Sequence, residues 1–304
     1  STYFGRRGNS KRPCDKLYDR YFNNRKGKNL PSCSNTPRGN DTSTKTDHNP
    51  ELDEIVSKKF QVWLKYNDSP LEEIVDKWKT THLYRKIYLK NSLERGETIS
   101  AFIIEWPLYK HCVLGPQLIN CDFDILYPNK GTNLHTKWED FVPLIYSYYK
   151  KSIKDKVSRE ILIQLENENL AADTRNYIIS LLLNAVITPV ARYKNNSSFK
   201  RVTIQEGMDS FLVHVNSASN LEETLAEIRD RFSQKNNTLQ PIIIATGSSI
   251  NCLDNFFVYL DGTKLKFSSF LAALDLCFKV FQVFDVQYPL YCKGVWLFIQ
   301  KFFF

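Results

Sequence analysis

No stretch of the chain approaches the ~18 to 20 consecutive apolar residues that a membrane-spanning helix needs. The nearest, Phe270 to Phe284, is interrupted by Asp275, Lys279 and Gln282, so no membrane partner is expected. No C-x-x-C occurs among Cys14, Cys33, Cys112, Cys121, Cys252, Cys277 and Cys292, and Cys112 and Cys121 do not stand at a zinc spacing. Odd in number and scattered, these cysteines read as free thiols of a reducing, intracellular compartment. The histidines (His48, His82, His111, His135, His214) meet a cysteine only at His111–Cys112, which is no metal site. A G-x-S-x-G elbow is absent, and so are the glycines and lysine of a phosphate loop. The sequence therefore assigns no catalytic residue, no cofactor and no metal ligand, and it predicts a protein that is not an enzyme.

Acidic residues are scarce at the N-terminus. Residues 1–50 hold eleven Lys/Arg against four Asp/Glu, whereas the other 254 residues hold 30 against 29. Almost all of the net charge of +8 thus sits in the first sixth of a 304-residue chain. Apolar residues are too few in 1–48 to offset the entropy of ordering, and a disordered basic tail is expected there. Its clusters are Arg6–Arg7, Lys11–Arg12 and Arg25–Lys26–Gly27–Lys28. The chain opens on Ser1 rather than Met, so the expectation is that this is not the native start and that a signal peptide or an upstream domain precedes it.

The remainder is rich enough in apolar residues to build a core. Asn49–Pro50–Glu51 reads as a helix start, with Leu52, Val56, Phe60 and Trp63 at helical spacing. Ser69–Pro70 starts another, with Leu71, Ile74, Val75 and Trp78 on one face and Glu72 and Glu73 at its positive end. Further helices are predicted over Thr136–Lys151, over Asp155–Glu166 with Val157, Ile161, Leu162 and Leu165 inward, and over Thr174–Ile187 before Pro189. After about residue 200 the pattern shortens. Arg201–Ile204, Phe211–Val215, Pro241–Thr246 and Phe256–Leu260 read as strands, and Asp261–Gly262 as a type I′ hairpin turn into Leu265–Phe267. An amphipathic helix capped by Asn220, with Leu221, Leu225, Ile228 and Phe232 as its stripe, joins the second and third strands, as in a parallel crossover. Ser268–Ser269 caps a helix to Phe284 whose Asp275–Lys279–Gln282 stripe is expected to face water, and a last helix carries Val295, Trp296, Ile299 and Phe302. The expected fold class is α+β, mixed: a basic tail over 1–48, a helical subdomain over 49–199, and over 200–304 a small mixed sheet (βαβ plus hairpin) packed by C-terminal helices.

Several phrases carry a resemblance: Gln240–Ile244, Val258–Gly262, Ala273–Pro289 and Trp296–Gln300, with Trp78–Thr80, Asp122–Phe123, Leu126–Gly131 and Trp138 upstream. Residues 70–304 resemble the C-terminal region of the fish and arthropod proteins called sterile alpha motif domain-containing protein 3-like. The helical self-association module that names that family has no match in residues 1–68. Where relatives have Gly-Asp after the third strand, this chain has Gly247–Ser248. The resemblance implies no catalytic or binding residue.

Three arrangements are candidates for chemistry. Ser248 after a strand, with His214 and Asp209, is the raw material of a serine hydrolase. Asp122 and Asp124 share a face if their segment is extended and, with Glu139 and Asp140, sketch a metal cluster, but capping and solvation are the preferred reading of these acids. The best candidate is basic and aromatic: a loop with Arg192, Tyr193, Lys194, Phe199, Lys200 and Arg201, and a second patch with Tyr146, Tyr148, Tyr149, Lys150, Lys151, Lys154 and Lys156. Cations suit phosphates and aromatic faces suit unstacked bases. The functional expectation is a non-enzymatic protein-interaction module of the nucleus rather than the cytoplasm, part of a regulator with a further upstream domain. The alternative is a nucleic-acid-binding protein that uses the tail and these patches.

Overall fold

The structure, a computed structural model, describes residues 50–195, 198–233 and 239–304. The basic segment 1–48, with Arg6, Arg7, Lys11, Arg12, Arg25, Lys26 and Lys28, lies outside the described residues, as does the expected cap Asn49. What is described is α+β. A helical first half is followed by a two-stranded hairpin, a four-stranded mixed sheet and C-terminal helices.

Helix α1 (Pro50–Tyr66) opens on proline, whose missing N–H costs nothing in a first turn. Its buried positions are Ser57 and Leu64. Val56 is exposed and Phe60 and Trp63 are half-buried, so the expected stripe rides on the surface. Helix α2 (Leu71–Thr80) has Glu72 and Glu73 in its first turn and Lys77 and Lys79 in its last, matching the helix dipole. It buries Ile74 and Trp78 while Leu71 stays exposed. Next come α3 (His82–Glu94), α4 (Ile99–Glu105), a 3₁₀ turn (Pro107–Lys110) and α5 (Leu114–Leu126), none of which the periodicity predicted. Helices α6 (Asn133–Ser152) and α7 (Lys156–Gln164) match expectation in extent. Asp155 caps α7 through Ser158 N at 2.9 Å. Val157 is exposed and Ser158 buried, so α7 is rotated from the predicted orientation. The helix expected over Thr174–Ile187 is two, α8 (Ala172–Leu181) and α9 (Leu183–Val186).

Arg192–Asn195 (β1) and Ser198–Arg201 (β2) pair as a hairpin where a loop was predicted. The strand expected over Arg201–Ile204 ends at Arg201, because Thr203 and Glu206 form a reciprocal capping box that starts α10 (Ile204–Asp209). Strand β3 (Leu212–Val215) runs parallel to β4 (Ile242–Thr246), as the crossover pattern requires. Strands β5 (Asn255–Leu260) and β6 (Thr263–Phe267) add antiparallel in the order β3-β4-β5-β6. Asp261 and Gly262, at φ 41° and 88°, close the β5–β6 turn with the two positive φ values of type I′. Helix α11 (Leu221–Ser233) is entered through a 3₁₀ turn capped by Ser217 rather than by Asn220.

Alternation divides the sheet's two faces. Ile242, Ile244 and Tyr259 cluster with Leu221 and Leu225 of α11, while Ile243, Ala245, Phe256 and Val258 join the main core with α12 (Phe270–Val283). Asp173, rather than Ser268 or Ser269, caps α12, accepting from Phe270 N at 2.7 Å. Helix α12 touches α5, α6, α8 and the sheet, so it is enclosed on nearly every side. That enclosure corrects the expected wet stripe: Asp275 and Lys279 are buried, and only Gln282 is partly open. Helix α13 (Lys293–Phe303) sets Trp296 against Phe211 and Phe281, at centroid distances of 5.0 and 4.9 Å.

Candidate functional site

His214, on β3, is spent on backbone: its Nε2 lies 2.8 Å from the Gly247 carbonyl. Ser248 is exposed, and Asp209 accepts from Gln205 on α10. The structure does not bring the three together; no hydrogen bond joins His214 to Ser248 or Asp209 among the described residues. The basic-aromatic residues are partly redistributed. Tyr149 is buried with its hydroxyl on the Ile179 carbonyl (2.7 Å), and Tyr193 packs on Tyr291, so neither offers a face to a base. Lys150 lies 4.4 Å from the centre of the Tyr146 ring, and Lys151 is exposed beside it. On the hairpin, Arg201 donates to the Pro189 carbonyl (3.1 Å), whereas Arg192 and Lys200 are exposed and Phe199 is 70% exposed.

Asp122 and Asp124 do not share an extended face. Both lie on α5, where residues two apart point ~200° from each other. Asp124 turns outward over Gly131, while Asp122 goes into the core. Asp122 Oδ1 accepts from Arg85 Nη2 (2.5 Å) and meets His82 Nδ1 (2.9 Å). Its Oδ2 accepts from the Tyr109 hydroxyl (2.7 Å) and the Trp78 indole (3.1 Å). Arg85 Nη1 donates to the Trp78 carbonyl and the Thr81 hydroxyl, both at 2.6 Å, and the guanidinium stacks 3.8 Å from the Trp78 ring centre. One carboxylate thus ties together α2, α3, the 3₁₀ turn and α5. Burial pushes the Asp122 carboxyl up, but Arg85 and the hydrogen bonds from His82 and Tyr109 outweigh it and hold the group below its ordinary range. Burial raises the Tyr109 phenol well above its ordinary value, so it serves as a donor.

A second charged centre joins α12 to α5. Lys279 Nζ donates to Asp275 Oδ2 (2.5 Å), Asn120 Oδ1 (2.7 Å) and the Gly131 carbonyl (2.8 Å), which uses all three of its protons. Asp275 Oδ1 is buried without a partner. Burial raises the Asp275 carboxyl, and Lys279 offsets only part of that. Among the described residues no three His, Cys, Asp or Glu side chains are grouped to hold a metal ion.

Two recesses flank the Asp122 centre. A cavity of about 280 Å³ is floored by Arg85, Tyr109 and Asp122 and walled by Leu89, Leu126 and Val283, with Lys86 also on its lining. On the other side of α3, a groove of about 720 Å³ runs along α1, lined by Val56, Leu83, Tyr84, Ile87 and Tyr88, with Asp53 and Glu54 on its edge. Sequence reasoning missed both charged centres. Their signal was the spacing His82–Arg85–Leu89 on one helical face, which has no meaning until Asp122, 37 residues beyond Arg85, folds against it. No family model, curated protein or solved structure matches the chain. No helix among the described residues is long and apolar enough to cross a membrane.

Proposed function

We propose that the protein is a non-enzymatic interaction module and that a partner helix docks in the α1–α3 groove. One observation carries this reading. Leu83 and Ile87, one turn apart, are 66% and 50% exposed beside Val56, Tyr84 and Tyr88 in a single groove. Isolated exposed leucines are ordinary, but a contiguous apolar trough is a recognition surface. Its two ridges, Leu83–Ile87 and Tyr84–Tyr88, follow i, i+4 rows into which another helix packs. The occupant is an amphipathic helix with apolar anchors at i, i+3 or i+4, and i+7. At the groove's edge Glu54 is paired with Lys58 one turn on (2.7 Å), so the groove selects by its apolar lining. A nuclear setting rests on the basic N-terminal sequence alone. Selection of helix-forming peptides from a random display library tests the docking mode. Binders with that anchor spacing are expected, and a selection that enriches none of this pattern contradicts it.

The alternative, nucleic-acid binding, is favoured by the hairpin. Arg192 pairs with Arg201 and Lys194 with Phe199, so these positions share one strand face, opposite the Tyr193 face that packs on Tyr291. An exposed phenylalanine beside arginine matches a stacking platform. If the hairpin binds single strands, Phe199→Ala weakens binding at every salt, and Arg192→Ala also flattens the salt dependence. Titrations at two salt concentrations that show no change in either variant exclude the hairpin.

A further inference from the structure

The cavity beside Asp122 carries two lysines, Lys86 and Lys90, against one carboxylate besides Asp122, that of Asp285. Asp122 already holds four donors, so it has no acceptor left for a ligand. Arg85, almost fully buried, balances Asp122, and its unpartnered Nε–H is closed to solvent and so to a ligand. His82 gives its Nδ1–H to Asp122, so in the neutral ring its Nε2 is an acceptor and no donor to an anion. Lys86 lines the same cavity with no partner among the described residues, and Lys90 there reaches Glu94 only at 3.8 Å. Leu89, Leu93, Phe102, Leu126 and Val283 give the same cavity an apolar lining. Two lysines over an apolar lining fit an anion with an apolar body, and about 280 Å³ suits a molecule of roughly ten heavy atoms.

We propose that this cavity binds a small apolar carboxylic acid. Its carboxylate lies toward Lys86 and Lys90, and its body lies on Leu89, Leu93 and Val283. Asp285 is the opposing charge at the mouth and weakens the site for a bare carboxylate. Calorimetric titration of the full chain with phenylacetate, and with phenethylamine as a cation of like size, tests this. Saturable phenylacetate binding is expected, at least tenfold tighter than phenethylamine. It should weaken at least tenfold in Lys86→Glu, disappear in Leu93→Trp, which fills the cavity, and tighten in Asp285→Asn. Three results would overturn the proposal. One is no saturable binding at about 10 mM phenylacetate, a concentration at which even a weak site fills. Another is phenethylamine binding as tightly as phenylacetate. The third is affinity unchanged by both Lys86→Glu and Leu93→Trp while the variants melt as the parent does.

Discussion

Asp122 and Lys279 are the residues whose charge the sequence most conceals. Charged side chains read as solvent-facing, and a hydropathy pattern cannot register that partners 37 to 159 residues away enclose them. Their roles differ in sign. Asp122 titrates below its ordinary range, so it contributes stability at pH above ~4 that is lost as pH falls through its folded value. Asp122→Asn should cost ~3 to 5 kcal/mol at neutral pH, because Arg85 is left buried without its counter-charge. Thermal melts as a function of pH should show that gap closing only below about pH 4; a gap constant down to pH 2 would mean that folding does not lower the Asp122 carboxyl. Asp275 has a raised carboxyl, so its ionised form costs stability above its folded pKa, and that cost fades as pH falls. A surface lysine at position 279 would cost about 0.5 kcal/mol on truncation. Buried against Asp275, Lys279→Met should instead cost ~3 kcal/mol at pH 7, with part of the loss recovered on mild acidification as Asp275 protonates. A loss within about 0.5 kcal/mol would mean that the pair is solvated.

At the scale of elements, what could be read from the sequence was set by how one-sided each element is. Helix α2 and helix α11 each bury one stripe, and the β5–β6 hairpin carries its Asp261–Gly262 turn, so their patterns predicted them. Helix α3 carries Leu83 and Ile87 on its open side and Arg85, Leu89 and Ser92 on its buried side, so apolar and polar residues fall on both faces and no helical stripe emerges. Helix α12 was legible as a helix but not in its surroundings, because its polar residues are held by α5 and the 127–133 turn rather than by water. The β1–β2 hairpin was misread as a loop because Arg, Lys and Asn dominate its sequence, and Tyr193 is the strand residue that packs into the small cluster of Ala191, Val202 and Tyr291. Phe278 and Trp296 are almost wholly buried, so Phe278→Ala and Trp296→Ala should each cost ~3 to 5 kcal/mol and lower the denaturant midpoint sharply. Near-parental midpoints for both would show that α12 and α13 do not form the core.

Across the whole molecule, one apolar cluster runs from Leu64 in α1 through the helices and the inner sheet face to Phe303 in α13. Helix α5 is its pivot, since one side offers Asp122 to the N-terminal helices and another offers Asn120 to Lys279 of α12. Such a frame holds α3 from beneath while leaving its outer ridge unpacked. The proposed interaction surface is therefore a rigid one. The Leu83→Glu, Ile87→Glu double variant tests this most directly, through its affinity for a library-selected helical peptide. The account predicts at least a tenfold loss of affinity with the melting temperature unchanged, because both side chains lie on the surface and carry binding rather than stability. Unchanged affinity, or a melt lowered by several degrees, would contradict it.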